Sequence, residues 1–338
     1  MRKIAMLNQK GGVGKTTSVV NIAAALAKSG MKVVVADFDP QAHLTIHLGI
    51  EPDAVESGVY EVLTASADFD QSLIEVRPNL FLLGANINLV GAESELVSVV
   101  GREIIFREAV SKSQHNFDYL IIDCPPSLGL LTLNALACAD EVIIPLQPHF
   151  LALQGLGKLL QTVTLVSKRI NPKLKVSGAL LCMYDPRVSL SEEVKNDIDK
   201  FFESARGTDC PWNNAKVIPV FVRRNIKLAE APSYGKTVFE YEPECNGSKD
   251  YDLIADFISD GAVNRFIKEQ EQLQEQEQLQ QQTPPEPPPV QELPQQPVAI
   301  QTPAAVMPKP PVPIQQIGHI QPFKSPQQIA QQDQTAGA

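Results

Sequence analysis

The 338-residue chain lacks the marks of several large protein classes. No apolar run reaches the ~18 residues of a membrane span, and no signal peptide is expected ahead of the first strand, so no membrane partner is expected. The five cysteines (Cys124, Cys138, Cys182, Cys210 and Cys245) are scattered, with no C-x-x-C pair. That suits a reducing cytoplasm and argues against a zinc or iron–sulfur site. Positive charge is the minority: 29 Lys and Arg stand against 39 Asp and Glu, a formal net charge of −10. No global attraction to nucleic acid is expected from that balance, which leaves room for a local basic patch only. Aromatics are nearly absent after residue 268, where Phe323 stands alone in a Gln- and Pro-dominated segment. Such a segment cannot bury enough apolar surface to offset its ordering entropy. Residues 269–282, rich in Glu, Gln and Leu, extend the last helix for a few turns at most. Beyond Thr283 the prolines favour extended polyproline II. The expectation is one folded domain over 1–268 and a disordered tail over 269–338. The tail is either a solvated segment without a specific role or a tether that docks a partner through residues 317–323.

What the chain does have, over 1–268, is short apolar runs alternating with helical patterns. This predicts an α/β fold with a doubly wound, mostly parallel sheet and helices on both faces. The first apolar run, Ile4-Ala5-Met6-Leu7, reads as a buried strand, and residues 17–28 read as a helix. Between them lies Lys10-Gly11-Gly12-Val13-Gly14-Lys15-Thr16-Thr17. The glycines let the backbone turn tightly and aim several N–H groups at a polyphosphate, at a helix N-terminus whose dipole favours an anion. Lys15 reaches the β/γ-phosphates and the Thr16 hydroxyl holds Mg²⁺ in such a loop. The usual pattern, G-x-x-x-x-G-K-[ST], opens on a glycine; this run opens on Lys10, a variant with a second lysine. A nucleoside triphosphate is the expected ligand.

The variant loop resembles that of the ParA/MinD family, the deviant Walker A P-loop ATPases, and most closely its ParA/Soj-like partitioning branch. Further segments carry the resemblance in order along roughly residues 1–268. Asp37-Phe38-Asp39-Pro40-Gln41 follows a strand expected over 32–36, and Tyr119-Leu120-Ile121-Ile122-Asp123-Cys124-Pro125-Pro126-Ser127 resembles the Walker B strand and its loop. Ala139-Asp140-Glu141-Val142-Ile143-Ile144-Pro145-Leu146-Gln147 and Leu228-Ala229-Glu230-Ala231-Pro232-Ser233-Tyr234-Gly235-Lys236 are similar to later family segments. The resemblance implies an ATPase with ATP and Mg²⁺ as cofactors. Lys10, Lys15 and Asp39 are then catalytic, with Asp39 positioning the attacking water. Asp123 and Asp37 join Thr16 around the magnesium shell. Alternation with period two aims Asp37 and Asp39 the same way. Lys10 is implied to reach across a two-fold interface to the partner's nucleotide, so that ATP drives a sandwich homodimer. Asp185, ending a strand expected over 176–182, and Asn225 fall where relatives approach the adenine edge; a loop-capping role is equally open.

The same resemblance implies nonspecific DNA binding through basic residues assembled by dimerisation, here Arg187, Arg223, Arg224 and Lys227, with a ParB-like or other adaptor protein as partner. Hydrolysis is expected to be slow without that partner, and the location cytoplasmic and nucleoid-associated. A MinD-like membrane switch needs a C-terminal amphipathic helix with a basic face, whereas only Lys309 and Lys324 follow Lys268. A metabolic ligase on the same core needs an acceptor-substrate domain, and the tail cannot fold into one. Three departures from the family pattern stand out. D-P-Q-G-N becomes Asp39-Pro40-Gln41-Ala42-His43; Pro148-His149-Phe150-Leu151 replaces an acidic residue and aromatics; and Val220 to Arg223 are extra.

Overall fold

Nine strands among the described residues set the architecture, the central ones buried on both faces. They are β1 (Arg2–Met6), β2 (Val33–Asp37), β3 (Ile74–Arg77), β4 (Leu80–Leu83), β5 (Tyr119–Asp123), β6 (Glu141–Leu146), β7 (Lys175–Tyr184), β8 (Lys216–Val217) and β9 (Val222–Arg223). The computed structural model describes residues 1–263. The domain end expected at 268 and the Gln/Pro-rich segment 269–338 lie outside the described residues. The strands run in the order β3-β4-β2-β5-β1-β6-β7-β8, with β9 beside the end of β7. All pairings are parallel except β3 with β4. This is the doubly wound sheet expected from the alternation, with one antiparallel edge.

Parallel strands covered on both sides read as near-continuous apolar runs, and successive residues then serve opposite layers. In β1, Ile4 and Met6 join one core with Val33, Val35, Ile121 and Leu180. Ala5 joins the other with Val34, Ala36, Leu120, Ile122 and Ile144. Helix α1 (Lys15–Lys28) and helix Asn246–Ile258 cover the first face, and helices Leu130–Cys138, Ala152–Arg169 and Ser189–Ser204 cover the second.

Several element boundaries differ from the expectation. The first strand starts at Arg2, whose guanidinium bonds Glu141 and the Ile258 carbonyl. α1 starts at Lys15, two residues before the expected start, directly behind Gly14 at φ 94°. The strand expected over 176–182 continues to Tyr184, and the extra residues 220–223 supply β9, which pairs Tyr184 with Arg223.

In an open α/β sheet, ligands bind outside the carboxyl ends of the strands where the winding reverses. β1 lies between β5 and β6, and the loop that follows it opens into that crevice.

Candidate functional site

The glycine loop adopts a shape that side chains oppose. Gly12 and Gly14 have φ of 71° and 94°, the left-handed region that only glycine enters without cost. A Cβ on Gly11 or Gly12 would meet nothing within 4 Å, so the space above the loop is open. On the other side Gly14 backs onto Cys182, 3.4 Å from where its Cβ would lie. α1 has no side-chain cap and no acidic residue in its first turn, so its orphan N–H groups and its dipole face the open side. Lys15 is buried, with its Nζ 3.5 Å from the Lys10 carbonyl oxygen. The loop is tethered at its start. Asn8 Nδ2 donates to the Pro145 carbonyl at 2.7 Å and Asn8 Oδ1 accepts from Lys10 N at 2.9 Å. Behind it, Ser18 Oγ and Tyr251 Oη lie 3.0 Å apart in the core.

Three acids meet at the ends of β2 and β5. Parallel register sets Asp37 beside Asp123. Thr16 Oγ1 donates to Asp123 Oδ2 at 2.5 Å, while Asp123 Oδ1 is buried and has no partner among the described residues. Burial pushes the Asp123 carboxyl up to about 8; Asp37 and Asp39 add to the rise, and Thr16 and Lys15 oppose it. Burial likewise pushes Asp37 up to about 7. A buried carboxyl with a free oxygen, next to a hydroxyl and two more acids, fits a divalent cation. Among the described residues no three His, Cys, Asp or Glu side chains form a group that could hold a metal ion by themselves.

Asp37 is placed differently from the other two. Its Oδ2 accepts from Thr45 N at 2.9 Å and Thr45 Oγ1 at 2.7 Å, and its Oδ1 from Asp39 N at 3.2 Å. Both oxygens are already engaged in shaping the loop. Asp39 is half-buried, and its Oδ1 accepts from Gln41 N at 3.0 Å. The departure at Ala42 falls where the backbone turns left-handed, at φ 54°, a conformation the family's glycine enters freely and alanine does not.

Asp185 and Asn225 lie at the carboxyl ends of β7 and β9, on the same side as the loop. Asp185 is gripped by Arg187, with contacts of 3.0 and 2.8 Å, which lowers its carboxyl to about 2. Asn225 Oδ1 accepts from Lys227 N at 2.9 Å, a loop cap. Of the four basic residues, Arg187 pairs with Asp185 at the surface and Lys227 with Glu230 at 2.9 Å. Arg224 is exposed and makes no ion pair among the described residues. Arg223 is different: its guanidinium binds Asp250, itself 5% exposed, at 2.6 to 3.1 Å. That contact joins β9 to helix Asn246–Ile258.

Thr45 and Asn8, which hold Asp37 and the loop, were not among the expected site residues. The signal for Asn8 is its place between the first strand and the glycine run. Thr45 carries no signal at all, being eight residues from the side chain it holds.

The sequence profile of the AAA domain family matches residues 1–176. The chain is 44% identical over 260 residues to the sporulation initiation inhibitor protein Soj of Bacillus subtilis, covering 76% of this chain and 98% of that one. It is 41% identical over 252 residues to the chromosome partitioning protein ParA of Myxococcus xanthus, covering 74% and 85%. A solved structure of cobyrinic acid a,c-diamide synthase from Mycobacterium smegmatis, with a bound ATP analogue and magnesium, superposes with a TM-score of 0.64 at 38% identity, covering 76% of this chain and 93% of that one. Glycine loop, paired strand-end acids and similarity to Soj and ParA over about three quarters of the chain agree, and the chain belongs to the ParA/Soj family of P-loop ATPases.

Proposed function

We propose that this chain binds and hydrolyses ATP with Mg²⁺, dimerises around the nucleotide, and in that state binds DNA without sequence preference to position a cargo through an adaptor protein. The observation that supports it most is the joining of Thr16 to the buried, half-unpartnered Asp123 beneath an open glycine loop. The loop N–H groups and Lys15 hold the β/γ-phosphates. Thr16 and Asp123 hold Mg²⁺, which neutralises phosphate charge when bound. Asp39 orients the attacking water, and Asp37 keeps the Asp39 loop in shape through Thr45. Lys10, at the exposed start of the loop, serves the nucleotide of a second copy. The names of the relatives support a chromosome-partitioning role, and such a role would place the chain at the nucleoid, in the cytoplasm. Slow turnover suits such a cycle, because rapid hydrolysis would abolish the bound state.

The test is binding to a random-sequence duplex with ATP, ADP or no nucleotide at two salt concentrations. Wild type should bind only with ATP and more weakly at the higher salt. Lys10→Ala and the double variant Arg187→Ala/Arg224→Ala should both lose binding. ATP-dependent dimerisation without DNA binding in any condition would exclude the DNA step. The name of the M. smegmatis structure favours one second reading, an amide-forming ligase. ATP turnover driven by cobyrinic acid and an ammonia donor, and indifferent to DNA, would identify it.

A further inference from the structure

Lys10 is already engaged within its own chain. Its Nζ lies 2.7 Å from His149 Nε2. Two tethers bring the residues together: Asn8 ties the glycine loop to Pro145 at the end of β6, and His149 follows four residues later. An ammonium has donors and no acceptor, so the contact is a hydrogen bond in the tautomer that accepts at Nε2 and carries its proton on Nδ1. Leu151 N lies 3.2 Å from that Nδ1. A neutral imidazole accepts at one nitrogen only, so Leu151 N, which donates to Nδ1 in the other tautomer, competes with Lys10 for the ring. Burial and the neighbouring Lys10 both lower the His149 pKa, which keeps the ring neutral and able to accept.

We propose that His149 is a latch for Lys10, holding in the single chain the lysine that the nucleotide-bound dimer needs, so that dimerisation has to break this contact. The proposal rests on the reading above that Lys10 acts across the dimer. A carboxylate at position 149 would hold the ammonium by a full ion pair. The imidazole offers one neutral acceptor, a grip weak enough for nucleotide binding to overcome. Both side chains lie toward solvent, so the contact is worth a small factor, about two- to five-fold in an equilibrium constant.

Two measurements on wild type, His149→Ala and His149→Glu test it. The first is pulse acetylation of the nucleotide-free protein, with Lys10 modification read by mass spectrometry against the exposed Lys200. The second is sedimentation with a slowly hydrolysed ATP analogue, which gives the dimer dissociation constant. His149→Ala should raise Lys10 acetylation about two- to five-fold and tighten the dimer by a similar factor. His149→Glu should do the reverse in both. Unchanged Lys10 acetylation in His149→Ala overturns the latch. Raised acetylation with an unchanged or weaker dimer overturns its opposition to dimerisation. Absence of any wild-type dimer refutes the trans role of Lys10, and acetylation alone then decides whether His149 holds the lysine.

Discussion

Asp37 and Asp39 stand two residues apart at the end of one strand, yet their surroundings give them different work. Asp37 is wholly buried with both oxygens engaged; Asp39 is half-buried with one oxygen taken by Gln41 N. Asp39→Ala should therefore lower ATP turnover by about 10²–10⁴-fold, the range for losing a positioned proton-handling group, with nucleotide affinity retained. Phosphate release and equilibrium binding of a fluorescent ATP analogue check the two halves. Near wild-type turnover would exclude Asp39 as the water-positioning group. Thr45 makes the opposite kind of contribution. Its hydroxyl donates to Asp37 and accepts from Ala85 N at 3.0 Å. Thr45→Val leaves both buried groups short of a partner and should cost about 1–3 kcal/mol of stability, read from urea unfolding. The acids were legible in the sequence because they sit at strand ends in a recognisable order. Thr45 was not, because its role depends on how the chain folds back eight residues later.

Two short segments show where pattern reading stops. β9 is two residues long and carries no periodicity, and Arg223 on it looked like one more basic residue in a cluster. The structure gives it Asp250 instead, through its backbone N–H at 2.9 Å as well as its guanidinium. Removing one member of a buried pair costs about 3–5 kcal/mol. The guanidinium is 42% exposed, so Arg223→Ala should cost less, about 1–3 kcal/mol. Asp250→Asn should couple to it in a double-mutant cycle, whereas Arg187→Ala should leave stability unchanged. The other segment is helix His43–His47, whose last residue is buried against Arg77 and Glu240. Burial lowers the His47 pKa from 6.5 to about 4. Between those values the unfolded chain binds the proton that the folded chain refuses. Stability from this group is therefore full above 6.5 and lost as pH falls toward 4, up to about 3 kcal/mol. Asp37 and Asp123, raised by burial, oppose this, since the fold holds their protons longer and gains as pH falls from 8 toward 4. The difference in urea midpoint between wild type and His47→Asn cancels the acids. It should narrow steadily from pH 7 to pH 5, and a constant difference would count against a buried neutral His47.

The molecule carries a formal charge of −10, so if it binds DNA it does so against its own net field, and only a local patch can succeed. The long central strands and the glycine loop made the fold legible from sequence. The charge balance of the patch was not, because pairing between side chains decides which charges are free. Exposed ion pairs are worth little and yield to a competing phosphate. Arg187, 88% exposed, and Lys227, 37% exposed, are held by surface carboxylates of that kind, and Arg224 is exposed. Arg223 is not available on the same terms, since freeing it strands Asp250 in the core. On the proposed reading that leaves three charges per protomer, and six per dimer, to bind phosphates. Each neutralised phosphate contributes about 0.9 to the salt dependence, so a plot of log affinity against log salt should slope near −5 with ATP bound. Arg187→Ala should reduce the magnitude of that slope by about 2, one phosphate from each protomer. Lys10→Ala should remove binding altogether by preventing assembly of the patch. Measuring the slope by fluorescence anisotropy on a short duplex separates the cases. A slope near zero with ATP would mean that no patch forms, and an unaltered slope in Arg187→Ala would move the interface away from the end of β7.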